Sequence, residues 1–356
     1  MHSFTPFTDE QRRLQSNLDQ YYRAWVEALR EDAELPRLHW KRVGEREYLY
    51  RTLDSRGNAK SMGARSEITE QIYEQAKSGR RENEARRAQT KARLDETCAL
   101  YRATRALRGL APRAAAILQA LDVAGDIGSK FLVVGTNAMP AYELEADRQI
   151  VIQGGDVTDD FDVAWMARNL EVLGDDKATL LERLRRFDSS FKVSSKQPYQ
   201  LIDASGYEVE LLAGPEVIEV LQSSGESLRP LPLEEQNWLL WGRMVDRVVI
   251  GMDRTPARIV APDPRWMALH KLWLSEQAKR NVQKRPKDRV QGIALLDAIE
   301  RFMPHYPLDQ AFERELPIEL DDVLKRWRAG MVRDDNFLEG GLIESAAPKR
   351  SSTYHP

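Results

Sequence analysis

Apolar residues at three- and four-residue spacing open the chain. Leu14, Leu18, Tyr21, Tyr22, Trp25 and Leu29 form one stripe and predict a helix over 8–34, with Thr8 as its cap and Pro36 beyond its end. The pattern then turns extended. His39 to Arg51 reads as a hairpin around Val43-Gly44-Glu45, Asp54 to Asn58 as a second turn, and Lys60 to Gly63 as a return strand. Helix resumes at Ser66 to Tyr73. From Glu74 to Arg108 there is no proline and one glycine among many Ala, Arg, Glu and Gln residues. That composition predicts a long exposed helix or a helical pair, with Gly79 marking a break.

The periodicity changes again after Leu110. Pro112 opens an Ala-rich helix over 114–121, and Phe131 to Val134 is a short, wholly apolar strand. It runs into Gly135-Thr136-Asn137 and a helix through Tyr142 and Leu144. Gly154-Gly155 reads as a loop, and Thr158 to Trp165 alternates as a strand. Asp175 is expected to cap a helix over 178–187. Short strands follow at Lys192 to Ser195, Tyr199 to Ile202 and Tyr207 to Leu212, the last two joined by Ala204-Ser205-Gly206. Interleaved strands and helices over 113–213 mark an α/β unit. Beyond it, 215–221 looks helical and 248–260 forms a small hairpin. Helices are expected over 264–275, 287–302 and 320–332. The predicted organisation is an N-terminal region (1–110) of helix, basic β-hairpins and long helix; an α/β core (111–215); a mostly helical C-terminal domain (216–340); and a frayed tail (341–356).

Composition narrows the classes. The chain has 356 residues, 42% hydrophobic and 31% charged, with a net charge of −3. A uniformly basic nucleic-acid coat and an acidic disordered chain are both excluded. A single cysteine, Cys98, allows neither an internal disulfide framework nor a cysteine-based zinc site. Apolar runs stay far short of the ~18–20 residues that span a bilayer. The first residues carry neither a basic nor an apolar leader segment. A cytoplasmic protein without a membrane partner is expected. The average charge conceals an asymmetry: residues 37–109 hold 18 Lys/Arg against 10 Asp/Glu. Such a basic block suits either an anionic partner or a solvated mixed-charge surface.

Candidate chemistry centres on Asp160-Phe161-Asp162-Val163. Side chains alternate along a strand, so Asp160 and Asp162 share one face and Phe161, Val163 and Trp165 the other. Two carboxylates roughly 7 Å apart at Cα repel and invite a divalent cation. Magnesium suits them, because it prefers hard oxygen ligands and completes its shell with water and phosphate. Upstream, Gly135 lets backbone approach a phosphate, with Thr136, Asn137 and the following helix supplying donors. Downstream, Glu208 and Glu210 alternate with Val209 and Leu211, so Glu210 can add a third acid from a neighbouring strand.

In this order, Val134-Gly135-Thr136, Asp160-Phe161-Asp162-Val163 and Val209-Glu210-Leu211 resemble the nucleotidyltransferase superfamily that includes DNA polymerase β. Its signature is a hydrophobic-Gly-Gly/Ser turn followed by two acidic strand motifs. Thr136 replaces the usual serine and Glu210 the commoner aspartate, each keeping its functional group. The resemblance covers 111–215. It implies an α/β core in which helices flank a mixed sheet. It also implies two Mg²⁺ ions, or Mn²⁺ in their place, on Asp160 and Asp162, with Glu210 assisting. The implied reaction is transfer of a nucleoside monophosphate from an NTP such as ATP to a hydroxyl on an RNA end, a protein side chain or a small molecule. The alternative is a non-catalytic nucleic-acid-binding or regulatory protein that keeps the fold.

The C-terminal part is similar to bacterial stand-alone nucleotidyltransferase-fold proteins, including abortive-infection toxins, which would place the chain in a toxin–antitoxin or phage-defence setting. On that resemblance Lys271, and second Lys287, would reach the triphosphate, while Asp288 would serve as a salt-bridge partner. The N-terminal hairpin mixes bases with rings. Trp40, Lys41, Tyr48, Arg51 and Lys60 suit an RNA acceptor, whose bases stack and whose phosphates meet cations. Trp40, Tyr48 and Tyr50 suit the small core of that module equally well. The five histidines show no metal spacing, and neither a Walker A nor a G-x-S-x-G motif is present.

Overall fold

In the computed structural model, residues 2–54, 57–104, 109–152, 160–165, 179–215, 218, 229–232 and 234–332 are described. They divide into two compact units. One takes the described parts of 6–149 and 158–263, the other those of 1–5, 150–157 and 264–356. Among the described residues no helix is long and apolar enough to cross a membrane.

A short strand, β1 (His2–Pro6), precedes α1 (Asp9–Glu34). Thr8 caps α1 in a reciprocal box with Gln11, which satisfies two otherwise orphaned amides. Leu14, Leu18, Tyr22 and Val26 form its buried stripe. The hairpin β2 (Arg37–Val43) and β3 (Arg46–Thr52) continues into β4 (Ala59–Ala64), giving a three-stranded antiparallel sheet. Helix α2 then runs unbroken from Glu67 to Ala103, straight through Gly79. The glycine costs the helix about 1 kcal/mol. Antiparallel packing on α1 outweighs that cost. Arg80 donates to the Leu35 and Pro36 carbonyls, Asn83 to the Ala28 carbonyl, and Arg86 and Arg87 pair with Glu31 and Asp32. Much of the basic charge of α2 is therefore directed onto α1.

The α/β core follows. Its elements are α3 (Pro112–Val123), β5 (Phe131–Val133), a 3₁₀ turn (Gly135–Ala138) and α4 (Met139–Glu145). Next come β6 (Arg148–Ile152), β7 (Asp160–Trp165), α5 (Leu180–Phe187), β8 (Lys192–Val193), β9 (Gln200–Ile202), β10 (Glu208–Ala213) and β11 (Leu231–Pro232). The main sheet has the order β5-β7-β10-β9-β8, with β11 beside the end of β10. It is mixed: β7 and β10 are parallel, while β5 and β9 are antiparallel to their neighbours. Phe161, Val163, Val209 and Leu211 are completely buried on one face. The cap of α5 is Thr179, in a box with Glu182. Asp175 and Gly154-Gly155 lie outside the described residues, as do most of 215–221 and the tail. Strand β6, which pairs with β1, had no alternating signature to announce it.

Arg113 at the start of α3 ties the connections together. It pairs with Asp188 after α5 and, at 2.6 Å, with Asp203 before β10, and its guanidinium lies over Phe187 and Phe191. The Ser190 backbone amide and Arg113 hold the Asp188 carboxyl down at about 2. The hairpin β12 (Val245–Ile250) and β13 (Pro256–Ala261) completes this unit, and Gln15 of α1 donates to the Val248 carbonyl.

In the other unit, α6 (Pro264–Glu276) packs on α7 (Arg285–Phe302), with α8 (Gln310–Glu313) and α9 (Ile318–Arg328) following. Gly292 permits the close approach: a Cβ there would lie 2.7 Å from Leu272 Cγ. Arg326 of α9 clamps Glu276 of α6 through two bonds of 2.9 and 2.8 Å.

His270 on α6 is buried, and burial followed by the neighbouring Lys271 pushes its imidazole from the ordinary 6.5 down to about 3. The unfolded chain takes up that proton first. The His270 contribution to stability is therefore constant above about 6.5, falls as pH drops towards about 3, and levels off below it. His270→Gln is expected to remove that slope, as urea melts at pH 7 and pH 4.5 would reveal.

Candidate active site

The polar face of the main sheet collects what the sequence separates. The register puts Asp160 opposite Glu208 and Asp162 opposite Glu210 on parallel neighbours. Adjacent strands run ~4.8 Å apart, so the Asp162 and Glu210 positions are immediate neighbours. The next strand adds Gln200, opposite Glu210. Its side chain is buried, and its Nε2 donates to Glu208 Oε2 at 2.7 Å and Glu210 Oε1 at 3.1 Å. One carboxamide thus supplies a donor to each of two like charges and fixes both carboxylates. Sequence reasoning missed Gln200, because only the pairing of β9 with β10 gives it that neighbourhood.

The turn after β5 closes the other side. The Val134 amide donates to the Asp162 carbonyl at 3.2 Å, continuing the β5–β7 ladder into the turn. Gly135 then adopts φ +69°, the left-handed region that a side chain disfavours. A Cβ at this position would stand 2.5 Å from Asp162 Oδ2. The absence of a side chain at 135 is therefore what gives the Asp162 carboxylate its place. Thr136 is half-buried and Asn137 buried in the same 3₁₀ turn. Turn, central aspartate and Glu210 come together as one group. For Asp160 the strand position is described and its side chain is not.

The donor set fits a hard cation. Asp162 and Glu210 offer only carboxylate oxygen, which suits magnesium with water and substrate phosphate filling the remaining positions. Among the described residues no three His, Cys, Asp or Glu side chains form a ready-made metal cage. Magnesium held through one or two carboxylates and a nucleotide does not need one.

The two candidate lysines lie in the other unit. Lys271 is buried, with Nζ 3.3 Å from Asp288 Oδ1. Asp288 also takes Arg280, at 2.6 Å, so one carboxylate serves two cations. Lys287, one residue earlier on α7, is half-buried. Of the N-terminal candidates, Lys41 and Tyr48 are register partners on one face of the small sheet. Trp40 packs on the other face, against Tyr73 of α2, with the Arg65 guanidinium 5.2 Å from its ring centre. Arg51 and Lys60 pair with each other in register on that second face.

A family model described as nucleotidyltransferase matches residues 113–317, more than half of the chain. The chain belongs to that nucleotidyltransferase family, and its mixed sheet flanked by helices is consistent with the family's fold. Comparisons with curated proteins and with solved structures returned no match. The matched span includes the Gly135 turn, both acidic strands and the helices of Lys271 and Lys287.

Two substitutions isolate the geometry. Gly135→Ala is expected to cost about 1–2 kcal/mol of stability for its left-handed residue and, beyond that, to abolish turnover by displacing Asp162. Thermal melts alongside a pyrophosphate-release assay separate the two effects. Gln200→Met keeps length and burial but removes the donors. It is expected to leave the fold intact and raise the Mg²⁺ concentration needed for half-maximal turnover, read from a magnesium titration.

Proposed function

We propose that this chain is a metal-dependent nucleotidyltransferase that moves a nucleoside monophosphate from an NTP to a hydroxyl acceptor. The observation that supports it best is the close fit of the Gly135 turn against Asp162, with Glu210 at the adjacent register position. Nucleotidyl transfer needs a phosphate-accepting turn beside paired carboxylates, and the family membership gives that arrangement its chemistry.

In this reading Asp160 and Asp162 hold Mg²⁺, with Glu210 as the third carboxylate on the nucleophile side. The bound cation supplies charge neutralisation for the phosphoryl oxygens and the leaving group. Gly135, Thr136 and Asn137 receive phosphate oxygens of the NTP. The acceptor oxygen forms a bond to the α-phosphorus while the bond from that phosphorus to the β-phosphate oxygen breaks. Pyrophosphate leaves, and the acceptor's proton passes to solvent or to a carboxylate on the nucleophile side. Gln200 keeps Glu210 aimed while its charge neighbours change. Lys271 and Lys287 remain the proposed triphosphate cations.

The test is incubation of the full chain with Mg²⁺ and each labelled NTP. Asp160→Ala and Asp162→Ala are each expected to lower turnover by at least about a hundredfold, the scale of a lost transition-state charge partner. Glu210→Gln should be severe but leave residual turnover. Nucleotide handling that neither aspartate substitution alters, with RNA binding lost when Arg and Lys of 37–109 are removed, would establish the non-catalytic nucleic-acid-binding reading instead.

A further inference from the structure

The three-stranded sheet of β2, β3 and β4 separates its side chains into two unlike faces. Toward α2 lie Trp40, Leu49 and Glu47, with Arg65 paired to Glu47 and set over the Trp40 ring. Cross-strand register puts a different set on the opposite face. Arg37 faces Thr52, His39 faces Tyr50, Lys41 faces Tyr48 and Val43 faces Arg46. The contacts agree with this register: His39 stacks with Tyr50 at 6.0 Å, and Lys41 Nζ lies 5.7 Å from the Tyr50 ring centre. The outward face of the hairpin strands therefore carries three cations (Arg37, Lys41, Arg46) and three rings (His39, Tyr48, Tyr50). It carries no carboxylate at any paired position. Arg37, Lys41 and Arg46 are exposed and none makes an ion pair among the described residues, in contrast to Arg86 and Arg87 of the adjacent basic helix.

From this alternation we infer that the outward face of β2 and β3 is a docking surface for single-stranded RNA, the acceptor class of the proposed transfer. Unpaired bases stack on the rings, and phosphates between them meet the cations that flank the rings in register. Duplex RNA hides its base faces and gives the rings nothing to stack on. An acidic protein would use the cations and leave the rings idle. The two tyrosine hydroxyls, Thr52 and the His39 imidazole offer hydrogen bonds to ribose 2′-hydroxyls, which DNA lacks. The acceptor role rests on the function proposed above; the binding itself does not.

Fluorescence polarisation of the full chain with a labelled mixed-sequence single-stranded RNA tests the surface directly. The double variant Tyr48→Ala/Tyr50→Ala is expected to weaken binding at least about tenfold with its salt dependence unchanged. Arg37→Ala/Lys41→Ala/Arg46→Ala is expected to flatten the plot of log affinity against log salt by about 2. Arg86→Ala/Arg87→Ala, whose guanidinium groups already meet Glu31 and Asp32, should stay within about twofold, and circular dichroism confirms that each variant folds. Asp162→Asn is expected to bind RNA normally, so a catalytic reading that fails leaves this one standing. Equal affinity for duplex RNA or single-stranded DNA would overturn the inference. So would undiminished binding by both outward-face variants, or competition by polyglutamate that is indifferent to the tyrosines.

Discussion

Carboxylates of like charge repel, and this chain sets four acidic positions on two adjacent strands of one small sheet. Asp160 and Asp162 on β7 stand in register with Glu208 and Glu210 on β10. The fold must hold that charge together, and much of its local design answers the need. On the opposite face of the same strands Phe161, Val163, Val209 and Leu211 are fully buried, so the strands cannot slip by one residue without exposing them. Gln200 divides its two amide hydrogens between Glu208 and Glu210. Gly135 withholds a side chain from the space that Asp162 occupies.

The connections around the sheet are pinned from behind. Arg113 reaches Asp188 and Asp203, which follow α5 and precede β10, so one guanidinium ties the stretch after α5 to the lead-in of β10. Parallel pairing requires a long connection, and a crossover left loose at its ends would let the register drift. In the second unit, Asp288 plays a comparable part by holding Lys271 and Arg280.

The basic N-terminal region shows how one charge count covers two different uses. On α2, arginines face α1, where they meet Glu31, Asp32 and the carbonyls at that helix's end. On the small sheet, Arg37, Lys41 and Arg46 meet no acid among the described residues and alternate with rings. Net charge over 37–109 cannot distinguish these cases, because it records how many cations there are and not which way they point.

Most of the helices and strands in their order, the cap at Thr8, and the period-two pattern of 160–163 and 208–211 were legible in the sequence, because each depends on neighbours a few residues away. The sequence also singled out Gly135, Asp162 and Glu210 by residue type and order, and the fold sets their positions side by side. Continuity of α2 through Gly79 was not legible, because helix α1 supplies the compensating contacts. Nor was the choice of Thr179 as the cap of α5, or the pairing of β1 with β6. The sequence likewise left Trp40 grouped with Tyr48 and Tyr50. Tertiary structure assigned Trp40 to the covered face and the tyrosines to the open one, and brought Gln200 between two glutamates. Local spacing determines which face of a strand a side chain takes; what that face meets depends on segments far along the chain, and only folding brings those into contact.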